Sequence, residues 1–258
     1  MDRLPLSAVI ITRNEAGCIR ACLESVAFAD DIVVVDSGSD DGTPDIARQC
    51  GARVFHHDWL GFGKQKQLAV SCAAHDWVLC LDADERVSPA LRADIAEALR
   101  DSSRVAWRFP RCNRFMGRWL RHGEGYPDLS LRLFHRGHAR WSEDAVHEKV
   151  LCDAAPGTLS GDLLHESGET LLGYLEKQNR YTTLQAQALF AAGARAGVGR
   201  LLFSPWLRFI KFYFLRLGLL DGVPGLVHIL IGCGNSFVKY AKLIELNRMK
   251  TPHDLNGE

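Results

Sequence analysis

The sequence predicts an α/β fold, a mostly parallel sheet with helices on both faces, followed by a C-terminal helical region. Three observations carry that expectation. Continuous β-branched runs such as Ile32-Val33-Val34-Val35 read as strands buried on both faces. Helix-length segments alternate with them, the signature of right-handed crossovers in a parallel sheet. Several apolar runs end directly in polar motifs, where open α/β sheets bind ligands.

In chain order, Ser7-Ala8-Val9-Ile10-Ile11-Thr12 is the first strand, followed by a polar turn and a helix over 17–26. Ile32 to Asp36 is the second strand, closed by the turn Ser37-Gly38-Ser39-Asp40-Asp41-Gly42. Thr43-Pro44 supplies an N-cap and first-turn pair for a helix to Cys50. Arg53 to His56 is a third strand, 64–74 a third helix, and Trp77 to Leu81 a fourth strand. Gly61-Phe62-Gly63-Lys64-Gln65-Lys66 reads as a loop before that helix; it lacks the third glycine of a dinucleotide fingerprint and is no Walker motif.

The fourth strand runs straight into Asp82-Ala83-Asp84-Glu85. Carboxylates one residue apart at a strand's C-terminal end offer hard oxygens suited to Mg²⁺ or Mn²⁺. A solvated turn before the helix capped by Ser88-Pro89 explains the same residues without a ligand. The crossovers bring Thr12-Arg13-Asn14-Glu15, Asp36-Ser37-Gly38 and Asp82-Ala83-Asp84 to one edge, where a nucleotide would fit.

At 258 residues, 47% hydrophobic and 24% charged, the composition is that of a globular chain with ample core. Eight cysteines without paired metal spacing read as buried thiols in a reducing compartment. The start, Met1-Asp2-Arg3-Leu4-Pro5, lacks a signal peptide's apolar core. The formal net charge of zero hides an asymmetry. Between Arg195 and Lys250 nine Lys/Arg face two Asp/Glu, so the remainder is acidic by the same margin. A basic, aromatic-rich end points to an anionic surface as partner.

Residues 104–121 hold six arginines, Arg104, Arg108, Arg111, Arg114, Arg118 and Arg121, and no acid, interleaved with Trp107, Phe109, Phe115 and Trp119. Their spacing would align guanidiniums on a helical face, although Pro110 breaks one long helix. A solvated basic face is one reading. Bidentate phosphate recognition with sugar stacking on the rings is the other. No nucleic-acid-binding fold accompanies the patch, so nucleic acid is not expected. Asp128 to Phe134 alternates as a returning strand, and Leu163-Leu164-His165-Glu166 presents a histidine after a short apolar run. His165 is either a metal ligand or a satisfied structural histidine.

Val-Ile-Ile-Thr-Arg-Asn-Glu (9–15), Val-Val-Asp-Ser-Gly-Ser-x-Asp-Gly-Thr (34–43) and Leu-Asp-Ala-Asp-Glu (81–85), in this order, resemble the nucleotide-sugar domain of family-two, GT-A, inverting glycosyltransferases. The resemblance implies that Thr12, Asn14, Glu15 and Asp36 hold the uridine of a UDP-sugar, with Asp82 near the ribose. It implies that Asp84 binds a divalent cation, Mg²⁺ or Mn²⁺, on the diphosphate. It also places Lys64 or Lys66 beside the base or phosphate. An inverting transfer needs a base beside the acceptor hydroxyl. The family keeps that base in the acidic segment after the returning strand, where this chain offers Glu143-Asp144 and His147-Glu148. Glu148 is the first candidate and Asp144 the second.

The longer arrangement Asp-x-x-Leu-Arg-Leu-Phe, Val-His-Glu-Lys-Val, His-Glu-Ser and Leu-Leu-Asp-Gly resembles the lipopolysaccharide core β-glucosyltransferase branch of Gram-negative bacteria. That implies glucose transfer to an inner-core heptose of a phosphorylated glycolipid, lipid A-core, at the cytoplasmic face of the inner membrane. A different UDP-sugar transferase of the cell envelope, or a nucleotidyltransferase, stays open as an alternative. The Gln-x-x-Arg-Trp motif of processive members is absent, favouring single transfer. The domains expected are a catalytic body over 1–170 and a helical region over 171–258.

In that region Phe203, Trp206, Leu207, Ile210 and Phe214 fall on one helical stripe. It would either pack on the body or lie in a membrane interface. Residues 222–238 contain no Asp, Glu, Lys or Arg, but Pro224 and several glycines suggest a helix hairpin or dipping segment. Residues 240–248 read as a separate polar helix, with a disordered end.

Overall fold

The computed structural model describes residues 4–101, 103–144, 148–168 and 170–249. Met1-Asp2-Arg3, His147 and the expected disordered end lie outside the described residues. The chain separates into two compact units, one of residues up to 113 plus 127–166, the other of 114–126 plus the chain from 167 onward.

The first unit begins with β1 (Leu6–Thr12), α1 (Ile19–Ser25), β2 (Asp31–Asp36), α2 (Thr43–Gln49), β3 (Arg53–His56) and α3 (Phe62–Ser71). It continues with β4 (Trp77–Asp82), β5 (Glu85–Val87) and α4 (Pro89–Ala98). β6 (Ala106–Phe115) then runs out into the second unit, where β7 (Arg118–Trp119) folds back on its end. β8 (Asp128–His135), β9 (Ala139–Trp141), β10 (Val150–Cys152), β11 (Gly157–Thr158) and β12 (Leu163–His165) complete the first unit.

The sheet order is β3-β2-β1-β4-β8-β6-β12-β5. β3, β2, β1 and β4 are parallel, and β8 joins β4 antiparallel. The apolar residues of β1 alternate between two cores. Leu6, Ala8 and Ile10 pack with Ile19, Leu23, Leu91 and Ile95 of α1 and α4. Val9 and Ile11 pack with Ala69 and Val70 of α3 and with Trp141. Helices therefore cover both faces, which is why β1 and β2 are apolar at successive positions rather than alternate ones. Register fixes the site: Thr12 lies beside Asp36, and Ile11 beside Asp82, so three strands end at one rim. Ser88 caps α4, its hydroxyl accepting from Leu91 N–H at 3.2 Å. All eight cysteines are free thiols.

Two local expectations are corrected. The arginine-rich segment is the long strand β6, not a helical face; pairing with β8 and β12 sets its conformation over the helix-like spacing. The helix after Gly61 starts at Phe62, because Gly63 belongs to it. A Cβ on Gly63 would lie 2.2 Å from the Ser142 carbonyl oxygen, so only glycine lets α3 meet that backbone.

The second unit contains α5 (Leu171–Ala191), α6 (Val198–Phe209), a π-helical turn over Ile210–Leu215, a 3₁₀ turn over Gly218–Asp221, and α7 (Gly222–Met249). Lys242 ties α7 to α5 through Asn179 Oδ1 and Thr183 Oγ1, each at 2.7 Å. The expected hairpin over 222–238 and separate helix over 240–248 are one continuous helix. Pro224 sits in its first turn, where the missing N–H costs nothing. Gly232 is there for close approach: a Cβ would meet Glu124 Oε2 at 2.3 Å. Among the described residues no single helix is long and apolar enough to cross a membrane. One pair, 198–215 with 218–249, bent by 75°, passes that test by length and composition only.

Candidate active site

At the rim of the parallel strands lies a cavity of 400 Å³, the size class of small-molecule pockets. Thr12, Arg13 and Glu15 wall it from the end of β1, Asp82, Ala83 and Asp84 from the end of β4, and His165 from β12. Trp59 and Phe62, both exposed and in edge contact at 4.8 Å, close another side. Thr12 is buried, and its hydroxyl has no hydrogen-bond partner in the protein. A hydroxyl so placed at a cavity wall has its hydrogen-bonding capacity open to whatever enters the cavity.

Asp82 and Asp84 have different surroundings. The Asp82 carboxylate receives Lys66 Nζ at 3.1 Å and Arg132 Nη2 at 3.0 Å. Burial pushes its carboxyl up, but Arg132 and Lys66 outweigh that and hold it well below the usual carboxylate range. Asp84 meets a histidine instead, its Oδ2 lying 3.1 Å from His165 Nε2. The other ring nitrogen, Nδ1, is 2.7 Å from Asn113 Oδ1. An amide oxygen only accepts, so Nδ1 carries a proton, and Nε2 faces the Asp84 carboxylate, as a second donor where it too is protonated and with a lone pair where it is not.

With Nε2 unprotonated, the pair offers two acceptors to a cation. That donor set, one carboxylate and one imidazole oriented by Asn113, fits a divalent ion of the Mg²⁺ or Mn²⁺ kind. Among the described residues no group of three or more His, Cys, Asp or Glu converges. Such an ion would therefore take its remaining ligands from water and substrate phosphate, as Mg²⁺ commonly does.

Glu15 lies beside this pair. Burial pushes its carboxyl up and Asp84 adds to that, against the opposing hydrogen bond from the Cys18 thiol at 3.1 Å. Cys18 itself is pushed up to about 12 by burial and by Glu15, so it is a thiol and not a nucleophile.

A second cavity, 510 Å³, lies on the other side of the Lys66 and Arg132 side chains. Arg111, Asp128, Trp141, Glu148 and Lys149 also line it. An alternating chain of charges connects the two. Glu148 contacts Lys66 Nζ at 3.2 Å, and Lys66 contacts Asp82, which contacts Arg132. Arg132 Nη2 reaches buried Glu85 at 3.1 Å, and Arg111 runs from Glu85, at 3.6 Å, to Asp128, at 3.0 Å. Lys66 and Arg132 are both buried, and both sit over the Trp141 ring, at 4.9 and 5.5 Å. Burial pushes the Glu85 carboxyl up against the pull of Arg132.

Removing one member of a buried ion pair leaves a charge without compensation. Arg132→Met is expected to lower stability by about 3 kcal/mol, the low end for such losses because Arg111 remains near Glu85. Chemical denaturation with an unchanged m-value checks this; an unaltered midpoint would contradict it.

Thus Thr12, Glu15, Asp82, Asp84 and His165 share the first cavity, while Lys66 and Glu148 meet at the wall of the second. Asn14 and Asp36 are not among the residues lining either. Asn14, at φ +56°, accepts from Asp40 N–H at 3.0 Å. Asp36 accepts the N–H groups of Gly38 and Ser39, both at 3.0 Å, and so organises its own turn. Asp144 is exposed. Sequence reading passed over Arg132, Trp59 and Trp141. The only signals were an arginine among the leucines of β8 and a Trp-Leu-x-Phe cluster in a glycine-bearing loop.

Gly63 bears on Glu148 as well, because a Cβ there would reach 3.3 Å from Glu148 Cβ. Gly63→Ala is expected to displace the strand-end segment carrying Glu148 and lower kcat at least tenfold with donor affinity little changed. Steady-state kinetics separates the two effects; an unchanged kcat would contradict the close approach.

Residues 7–153 match the family described as glycosyl transferase family 2. The chain is 33% identical to the lipopolysaccharide core biosynthesis glycosyltransferase LpsC of Rhizobium meliloti, over 97% of this chain and 96% of that protein. It is 29% identical to an uncharacterized glycosyltransferase, RT0209, of Rickettsia typhi, over 94% of this chain and 87% of that one. A mannosyltransferase from Pyrobaculum calidifontis, solved with GDP-Man and Mn²⁺, shares the GT-A fold at a TM-score of 0.51 and 17% identity, over 96% and 87% of the two chains. The fold and the family read from the three ordered motifs are borne out: this chain is an enzyme of glycosyltransferase family 2.

Proposed function

We propose that this enzyme moves a hexose, glucose from UDP-glucose, onto the heptose of a lipopolysaccharide inner core, with inversion and with a divalent cation. The Asp84–His165 pair, a carboxylate and an imidazole 3.1 Å apart at the rim of the first cavity, is the observation that carries the reading. The R. meliloti relative, a lipopolysaccharide core biosynthesis glycosyltransferase, supports the acceptor class.

In this reading the first cavity is the donor site. Thr12 and Glu15 hold the nucleoside from β1, Trp59 offers a ring face for the base, and Asp82 takes the ribose. Asn14 and Asp36 act by shaping the adjoining loop, which Ser39 Oγ stitches to Asn14 N–H at 2.8 Å. Asp84 and His165 are the residues that would hold Mg²⁺ or Mn²⁺. Bound there, the ion supplies positive charge against the leaving diphosphate.

The second cavity takes the acceptor. Glu148 on its wall removes the proton from the attacking hydroxyl, with exposed Asp144 as the second candidate. Lys66, fixed between Asp82 and Glu148, sets the base at a constant distance from the donor aspartate. Arg111 and Lys149 offer cationic hydrogen-bond donors for phosphate on a lipid A-core acceptor. The place of action is the cytoplasmic face of the inner membrane.

A panel of UDP-sugars, incubated with deacylated core oligosaccharide with and without Mn²⁺, tests the reading. Metal-dependent consumption of UDP-glucose above the other sugars is expected. Pyrophosphate release from UTP and a sugar phosphate would make the protein a nucleotidyltransferase instead.

A further inference from the structure

We infer that α6 and the π-helical turn after it form a docking surface for an anionic lipid bilayer. The helix is built inside out. In a water-exposed helix the apolar stripe faces inward and the polar residues face solvent. Here Ser204 points inward to Ser236 at 2.6 Å, and Arg208 points inward to an ion pair with Glu124. Phe203, Trp206 and Leu207 are each about two-thirds exposed, and Leu215 is 75% exposed. No residue of α6 is buried. The outward positions 198, 202, 206 and 210 repeat every four residues and continue into Phe214, so they make one band, not scattered exposures. A contiguous apolar band of this kind requires an occupant.

Charge identifies the occupant. From 177 to 220 the chain has seven Lys/Arg and no Asp or Glu. Arg200, Lys211 and Arg216 are exposed along the band. The next acid, Asp221, is buried and consumed by the N–H groups of Arg121 and His122, at 3.0 and 2.8 Å. A second copy of the chain would bury the same apolar band, but its two-fold contact would set these cations against their own copies. An acidic lipid surface satisfies both features: rings and aliphatic chains enter the headgroup boundary while long basic side chains stay with the phosphates. Trp206 at the centre of the band is the residue type favoured at that boundary.

Flotation of the full chain with vesicles tests the inference, using phosphatidylcholine alone and phosphatidylcholine mixed with phosphatidylglycerol. The wild-type chain is expected to float with the mixed vesicles, far less with the neutral ones, and less as salt rises. The double substitution Phe203→Glu, Trp206→Glu is expected to cut partitioning at least tenfold. Lys211→Gln and Arg216→Gln should each cost about fivefold. These positions are exposed, so melting temperature and elution volume should not move. Equal flotation of the Phe203→Glu, Trp206→Glu protein, or no flotation of the wild type, would overturn the inference. A wild-type dimer dissolved by that substitution would assign the band to a second copy and overturn it as well. No donor or acceptor enters the readout, so an error in the sugar assignment leaves the result interpretable.

Discussion

Asp84→Ala is expected to reduce sugar transfer by about 10³-fold, the several kcal/mol a divalent cation contributes to a departing anion. The chain should stay folded, because Asp84 is partly exposed. The neighbouring carboxylate behaves differently. Asp82 is held by Lys66 and Arg132 and is already neutralised by the protein, so its oxygens are less free to take a cation. The two carboxylates thus differ by environment, although the residues are identical in type. Asp84→Ala should abolish the Mn²⁺ dependence of nucleotide binding as well as turnover. His165→Gln should weaken Mn²⁺ with a smaller effect, since one ligand remains. Full turnover by Asp84→Ala, with undiminished metal dependence, would refute the assignment.

Glu148→Gln is expected to lower kcat by 10²-fold or more, about the contribution of a positioned general base. The amide is isosteric and cannot take a proton, while UDP affinity should be unchanged because the donor cavity does not include Glu148. A residue holding the acceptor would raise KM instead. Asp144→Asn provides the control: if it carries the loss and Glu148→Gln does not, the base lies four residues earlier. The contact between Glu148 and Lys66 sharpens the expectation. Lys66→Met should lower activity through both neighbours, since the same ammonium holds Asp82 and Glu148.

Much of the fold was legible because the signals are local. β1, β2 and β4 carry unbroken apolar runs, over 8–11, 32–35 and 77–81, and that pattern in alternation with helices admits few topologies. Asp82-Ala83-Asp84 was legible for the same reason: a strand's end and a carboxylate pair are adjacent in sequence. Arg132 was not, because its partners Asp82 and Glu85 lie 50 and 47 residues away and an arginine in an alternating strand normally faces solvent. The strand β6 was misread for lack of the same long-range information. Arginines three and four apart suit a helix, and only pairing with β8 and β12 decides otherwise. In α7, two of the glycines that suggested a break, Gly225 and Gly232, fill places where another backbone or carboxylate comes too near for a side chain. Propensity cannot distinguish a glycine that bends from one that makes room.

The apolar band of the second unit was visible as a stripe, but its direction was not. A sequence periodicity shows that one face is apolar without saying whether it faces protein or solvent. Ser204 against Ser236 and Arg208 against Glu124 settle the orientation of α6.

Calorimetric titration of UDP into the enzyme, with Mn²⁺ and with chelator, bears most directly on the chemistry proposed for the rim of the sheet. Tight binding with Mn²⁺, weakened at least tenfold by chelator and equally by Asp84→Ala, is the predicted result. Binding of the same strength in all three samples would contradict it.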